Sequence, residues 1–291
     1  MYKYLALSCC LLLGAGWCIA QTGKKTALNN KSLLWKVSGN GLEEPSYLFG
    51  TLHIICPDDY VWTPVMREAL DACDKVAFEM DMDDPSLQGK MAASMALNDG
   101  KTLKDFYTEA DYKKLTEIAQ KNNIPIQMMQ GFKPFALVSF LYLKAVSCSI
   151  PDSYEGTITK LAQTEGKEII GLETVEEQMK VVESLNSDSV AKSVLTIAGD
   201  LDSFKAIFNQ MLAVYKKQDL PALYQLIIES PDYKDDLNTL LFDRNQKWVP
   251  LIAAIARKQP TFIAVGAGHL WGEKGVIELL KQQGYKVELV R

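Results

Sequence analysis

The segment 261–290 constrains the fold more than any other part of the chain. It reads TFIAV, a glycine-rich turn, EKGVIELLKQQ, Gly284 and then KVELV. An apolar β-type run, a break, a helical period and a second β-type run make a strand–loop–helix–strand unit. Two parallel strands joined in this way imply a right-handed crossover and a sheet with a helix on its face. A second such unit lies near the other end: SYLFGTL, a loop, a helical pattern at 63–73 and KVAFEMD. Turn-bounded apolar runs predict strands at 33–37, 47–52, 75–80, 168–172, 261–265 and 286–290. Helical patterns occupy 63–73, 110–122, 134–146, 154–164, 175–184, 189–216 and 234–257. The strand runs are nearly continuous in apolar character, as in strands covered on both faces. The expected class is α/β: a central, mostly parallel sheet built from N- and C-terminal βαβ units, with a large helical insertion.

The first residues, MYKYLALSCCLLLGAGWCIA, carry one charge, Lys3, and end in a small-residue signature before Gln21. Residues 1–20 therefore read as a cleaved secretory signal peptide, the apolar run being too short to span a membrane. Trp17 precedes Cys18 where a lipoprotein signal takes a small residue, which disfavours lipid anchoring. The remainder divides into a flexible segment, 21–32, and a single domain, 33–291, with no transmembrane segment; a secreted or periplasmic location follows. A net charge of −5 argues against a nucleic-acid partner. Outside the leader, Cys56, Cys73 and Cys148 remain. Cys73 sits in a helical pattern and reads as a buried thiol. Cys56 and Cys148 lie in loops near proline, and their pairing is the expected disulfide in an oxidising compartment.

The chain has 2 histidines, and both stand in Gly-x-x-His contexts at strand ends: YLFGTLH holds Gly50 and His53, and FIAVGAGH holds Gly266, Gly268 and His269. Carboxylates follow two other strands: Glu79, Asp81 and Asp83 after VAF, and Glu173 after EIIGL. In parallel α/β sheets, ligands bind outside the carboxyl ends of the strands. If these strands are parallel, the two imidazoles and the carboxylates meet there. The glycines are expected to supply positive φ and close backbone approach. Two neutral imidazoles and a carboxylate form a donor set for a divalent metal with a position left open for water. Read singly, each residue has an ordinary role too. A strand-end histidine serves as a structural hydrogen bonder, and Glu79 as a cap or surface acid. Arg244 either clamps a carboxylate or oxyanion, or pairs at the start of its helix. Tyr154 and Glu155 read as helix-start residues behind an Asp152 or Ser153 cap.

As a set, YLFGTLH, VAFEMD, GKEIIGLETVEEQ (Glu173, Gln178), DRNQKWVPLI (Arg244, Asn245) and FIAVGAGHLWGEKGVIELLKQQGYKV resemble the TraB/GumN family. That family is related to the Tiki metalloproteases and, more distantly, to erythromycin-esterase-like and ChaN-like proteins. The resemblance implies a metal-dependent, peptidase-like hydrolase. His53, His269 and Glu79 would be its metal residues; Glu79, Glu173 and Arg244 would be its catalytic residues. It implies a divalent ion (Mn²⁺ or Co²⁺ in the Tiki proteins, with Zn²⁺ also open here) and a peptide or small-molecule substrate. A metal-free esterase-like hydrolase and a non-catalytic ligand-binding or regulatory protein remain as alternatives.

Overall fold

The computed structural model describes residues 31–98, 100–185, 187–230 and 236–291. The leader expected at 1–20 lies outside them. Six strands form one sheet: β1 (Leu34–Ser38), β2 (Ser46–Thr51), β3 (Lys75–Phe78), β4 (Glu168–Gly171), β5 (Thr261–Gly266) and β6 (Lys286–Leu289). Each coincides with a predicted apolar run to within two residues at either end. The order is β4-β3-β5-β2-β1-β6. The pairs β4–β3, β3–β5 and β5–β2 are parallel, whereas β1 runs antiparallel to both β2 and β6. The α/β class with a mostly parallel sheet is thus the observed one.

Helix α1 (Pro64–Asp71) links β2 to β3, and α11 (Val276–Gln282) links β5 to β6. Both crossovers join strands that run the same way, but neither pair is adjacent. The strand β5 enters between β2 and β3, and β6 crosses to the far edge beside β1. All six residues of β5 are buried, which accounts for its unbroken apolar character. Phe49, Phe78 and Phe262 are fully buried in the sheet core, each contributing about 1.5–3 kcal/mol by leaving water.

The helical insertion arrives in two stretches divided by β4. The first holds α2 (Leu87–Met95), α3 (Glu109–Lys121), α4 (Pro134–Ala145) and α5 (Tyr154–Thr164). The second holds α6 (Val175–Ser184), α7 (Ser187–Gly199), α8 (Leu201–Lys216), α9 (Leu220–Ile228) and α10 (Asp243–Ala256). Leu115, Leu137, Leu141, Val194 and Phe204 form a second core among these helices, apart from the sheet core. Three expectations needed revision. The helix predicted over 189–216 is two, because Asp200 leaves helical geometry (φ −140°, ψ 67°) and caps α8 by accepting from the Ser203 N–H. Helices α2 and α9 fall in segments without a clear predicted period. The helix predicted over 234–257 begins only at Asp243, after a π-turn at Asn238–Phe242.

Cys56 and Cys148 form a disulfide with a Cα–Cα distance of 5.7 Å. It closes a loop of 92 residues, a length for which chain-entropy reasoning gives about 4–5 kcal/mol. Cys73 is free and buried, and burial pushes its thiol up to about 12.

Candidate active site at the carboxyl edge of the sheet

The register brings the strand ends level. Thr51 pairs with Gly266 across β2 and β5, and Phe78 pairs with Ala264 on β5 and Gly171 on β4. The polar residues that follow each apolar run therefore emerge along one edge. Glu79 comes directly after β3, Glu173 after β4, His53 from the loop after β2, and His269 from the short turn Ala267–His269 after β5. All four converge there, and α10 delivers Arg244 and Asn245 from its first turn.

Arg244 is the hub. Its Nε donates to Glu173 Oε2 at 3.2 Å, and its Nη2 donates to Glu173 Oε1 and Glu79 Oε2, each at 2.6 Å. Its Nη1 donates to the Leu240 carbonyl at 3.0 Å and to His269 Nε2 at 3.2 Å. All five N–H groups are thus engaged within the chain. Acting as a substrate clamp would require Arg244 to release one of them. The guanidinium also lies 4.6 Å from the ring of Trp248, one turn further along α10.

Asn245 fixes His269. Its Nδ2 donates to the carbonyls of His269 at 3.2 Å and Lys274 at 2.8 Å. Its Oδ1 must then face His269 Nδ1, 2.7 Å away, so that Nδ1 carries the proton and Nε2 presents a lone pair. Burial, reinforced by the Arg244 charge, lowers His269 to about 3 and keeps it neutral. The residue is 4 % exposed.

His53 is held from the other side. Its Nδ1 lies 2.8 Å from Glu155 Oε1, which also accepts from Thr51 Oγ1 at 2.6 Å. Desolvation opposes its protonation, but the Glu155 and Glu79 carboxylates outweigh that and raise His53 to about 9. Glu79 is buried, which works against ionisation, yet His269, Arg244, His53 and the Gly266 N–H hold it well below the usual carboxylate range. Burial raises Glu173 despite its pairing with Arg244.

The glycines act by close approach rather than by left-handed backbone. Positive φ was expected at Gly50, Gly266 and Gly268, but none of the three adopts it. A Cβ on Gly50 would stand 3.1 Å from the Ala267 Cβ, so the bare backbone lets the two strand ends pack. One on Gly268 would meet Ile227 at 3.0 Å. One on Gly266 would enter the site itself, 3.2 Å from both Glu79 Oε1 and His53 Nε2. The Gly266 φ of −50° suits any residue. Gly266→Ala should therefore change stability by no more than about 1 kcal/mol. It should weaken divalent-ion binding at least tenfold, by setting a methyl between two donors. Thermal unfolding and titration calorimetry would measure the two effects, and unchanged ion affinity would show that the space is unused.

The donor set suits a divalent ion in kind. His53 Nε2 and His269 Nε2 each lie 3.8 Å from Glu79 Oε1, and the missing Cβ of Gly266 leaves a cradle beside that oxygen. Each ring is held at Nδ1 by an outer partner, the usual support for a coordinating imidazole. The spacing is open: among the described residues, no group of three His, Cys, Asp or Glu side chains stands at ligand distance.

Two roles escaped the sequence reading. Glu155, read there as a helix-start acid, reaches His53. Asn245, quoted only as a matching position, sets the His269 tautomer. Gln178 Nε2 adds a donor to Glu79 Oε2 at 3.3 Å.

A family model described as TraB/PrgY/gumN family matches residues 33–289. Among curated relatives, "Metalloprotease TIKI2" of Danio rerio is 25% identical over 315 residues, covering 88% of this chain and 60% of the relative. "Metalloprotease TIKI1" of Homo sapiens is 22% identical over 319 residues, with 88% and 61% covered. "Metalloprotease TIKI homolog" of Nematostella vectensis is 23% identical over 328 residues, with 90% and 68% covered. The chain spans about 60% of the length of the first of these relatives. No solved structure matches it significantly.

Proposed function

This chain belongs to the TraB/PrgY/gumN family, and from that premise we propose that it is a metal-dependent hydrolase of the peptidase type, exported and acting as one domain over residues 33–291. One observation carries the reading: the only two imidazoles of the chain turn their Nε2 atoms toward the same oxygen of Glu79. His53 Nε2, His269 Nε2 and Glu79 Oε1 would hold the ion, Mn²⁺, Co²⁺ or Zn²⁺. Such an ion, when bound, polarises a carbonyl and makes water acidic enough to deprotonate near neutral pH.

The chain's own residues supply the rest. Asn245 keeps the proton of His269 on Nδ1, and Glu155 does the same for His53. Arg244 balances Glu79 and Glu173, so that two largely buried carboxylates can sit together. Glu173 lines a cavity of about 450 Å³ whose walls include Asp81, Asp84, Lys90, Leu172 and Thr174, while His53, Glu79 and His269 are not among its walls. Access runs over His53, whose side chain is 63% exposed while that of His269 is 5% exposed. Among the described residues no helix is long and apolar enough to cross a membrane, which is compatible with the proposed export.

Metal-free chain should take up about one divalent ion by calorimetry and then cleave peptides from a mixed library, and chelation should abolish cleavage. His53→Ala should weaken the ion by more than the ~10–100-fold that outer-partner changes cost. Equal ion content in wild type and His53→Ala would sink the ligand assignment. The His53–Glu155 pair favours one second reading, in which His53 is a general base oriented by a carboxylate in a metal-free esterase. Hydrolysis that survives exhaustive chelation would select it.

A further inference from the structure

An acid in the first turn of a helix is ordinary, because that end of the helix favours negative charge. Glu155 occupies such a place in α5, yet it does more than the place requires. The helix start is already capped by Ser153, whose side chain accepts from the Gly156 N–H at 3.0 Å. The Glu155 side chain is only 12% exposed, a desolvation that a plain first-turn acid avoids. Its Oε1 instead serves two side chains on the segment leaving β2, Thr51 at 2.6 Å and His53 at 2.8 Å.

The same two segments are joined further along. Ile55 and Asp152 exchange backbone hydrogen bonds of 3.0 and 2.7 Å, and the next residue after Ile55 enters the Cys56–Cys148 disulfide. The segment 148–155 is thereby tied to 51–56 at three levels, with Glu155 at the end nearest the sheet. His53 needs that tie. With 63% of its side chain exposed, packing does not hold the ring, whereas His269 is buried against Trp248 with ring centroids 4.5 Å apart.

We infer that Glu155 is a positioning residue for His53, accepting from its Nδ1 so that Nε2 is turned toward Glu79 and Gly266. The consequence for metal affinity rests on the proposed hydrolase site, but the orientation of the ring does not.

The test uses the full chain labelled with ¹⁵N-histidine. The chain has only 2 histidines, so His53→Ala assigns both rings. The spectra are recorded at a pH high enough that the His53 ring is neutral in each chain, as its own nitrogen shifts report. In wild type the neutral His53 ring should carry its proton on Nδ1. Glu155→Gln, whose amide oxygen still accepts, should keep it there. Glu155→Leu should move it to Nε2. Glu155→Asp keeps the charge at the helix start but stops short of the ring, so it should behave like Glu155→Leu. The His269 signals should stay unchanged throughout. Titration with Mn²⁺ alone should then show a loss of about 10–100-fold in affinity for the Leu and Asp variants and a smaller loss for Gln. A His53 proton that remains on Nδ1 in Glu155→Asp or Glu155→Leu overturns the inference. The expected proton shift in a chain that binds no Mn²⁺ upholds the positioning role and overturns the metal-dependent reading instead.

Discussion

Arg244→Leu should lose about 3–5 kcal/mol of stability, the cost of removing one partner from a buried charge network. For a chain of this size that is a fall in Tm on the order of 10 °C. The physical reason lies in the two carboxylates left behind. The side chains of Glu79 and Glu173 are 10% and 7% exposed; without the guanidinium the neutral His269 offers Glu79 no charge, and among the described residues the peripheral His53 is the one cation left beside it. Three of the Arg244 N–H groups also tie α10 to Glu79 and Glu173 at the ends of β3 and β4. A double substitution, Arg244→Leu with Glu173→Leu, should be less destabilised than the sum of the single changes, because the orphaned charge is removed with its partner. A Tm within about 2 °C of wild type for Arg244→Leu, less than 1 kcal/mol at this size, would mean that water reaches the network and that Arg244 is not its hub.

Glu79→Gln should produce the largest loss of function. The residue is the one that both imidazoles face, and its other oxygen meets Arg244 and Gln178. The amide keeps the shape and can still accept from the Gly266 N–H, but it removes the negative charge from the centre of the site. Divalent-ion affinity should fall about 1,000-fold, equivalent to about 4.1 kcal/mol, and peptide cleavage should fall with it. The effect should exceed that of His53→Ala, since His53 is at the open rim and water can replace it. Calorimetry with Mn²⁺ or Zn²⁺, together with cleavage rates at saturating ion, would measure both. An affinity and a rate within tenfold of wild type would remove Glu79 from the site.

Much of this arrangement was legible in the chain. The six strands stood out because buried parallel strands are apolar runs with sharp ends, and the polar residue after each run marked the edge where ligands bind. His53, Glu79, Glu173 and His269 were located by that argument alone. Glu155 was not, because its sequence context, an acid behind a serine cap, is common to helix starts with no further role. The signal that points to it is indirect: pairing Cys56 with Cys148 brings the segment ending at Glu155 alongside His53. Asn245 was missed for a related reason. Its role depends on two carbonyls, at His269 and Lys274, whose proximity is not encoded near it in sequence.

The break at Asp200 and the late start of α10 are errors of another kind. Local capping and a π-turn overrode a continuous helical period, and those are decisions of a few backbone hydrogen bonds rather than of hydrophobic pattern.

The sequence by itself determined the six strands to within two residues at either end, and the identity of the only imidazoles a site here can use. Strand order was left to the tertiary structure. Both βαβ units predict parallel strands, but neither says that β5 passes between β2 and β3, because local pattern records which faces are buried and not which neighbour buries them. That insertion sets Gly266 beside Thr51 and within reach of Glu79, and so makes one site of two distant Gly-x-x-His motifs. The long-range packing that seats α10 over the same edge then supplies Arg244, whose charge lets two carboxylates share a buried place.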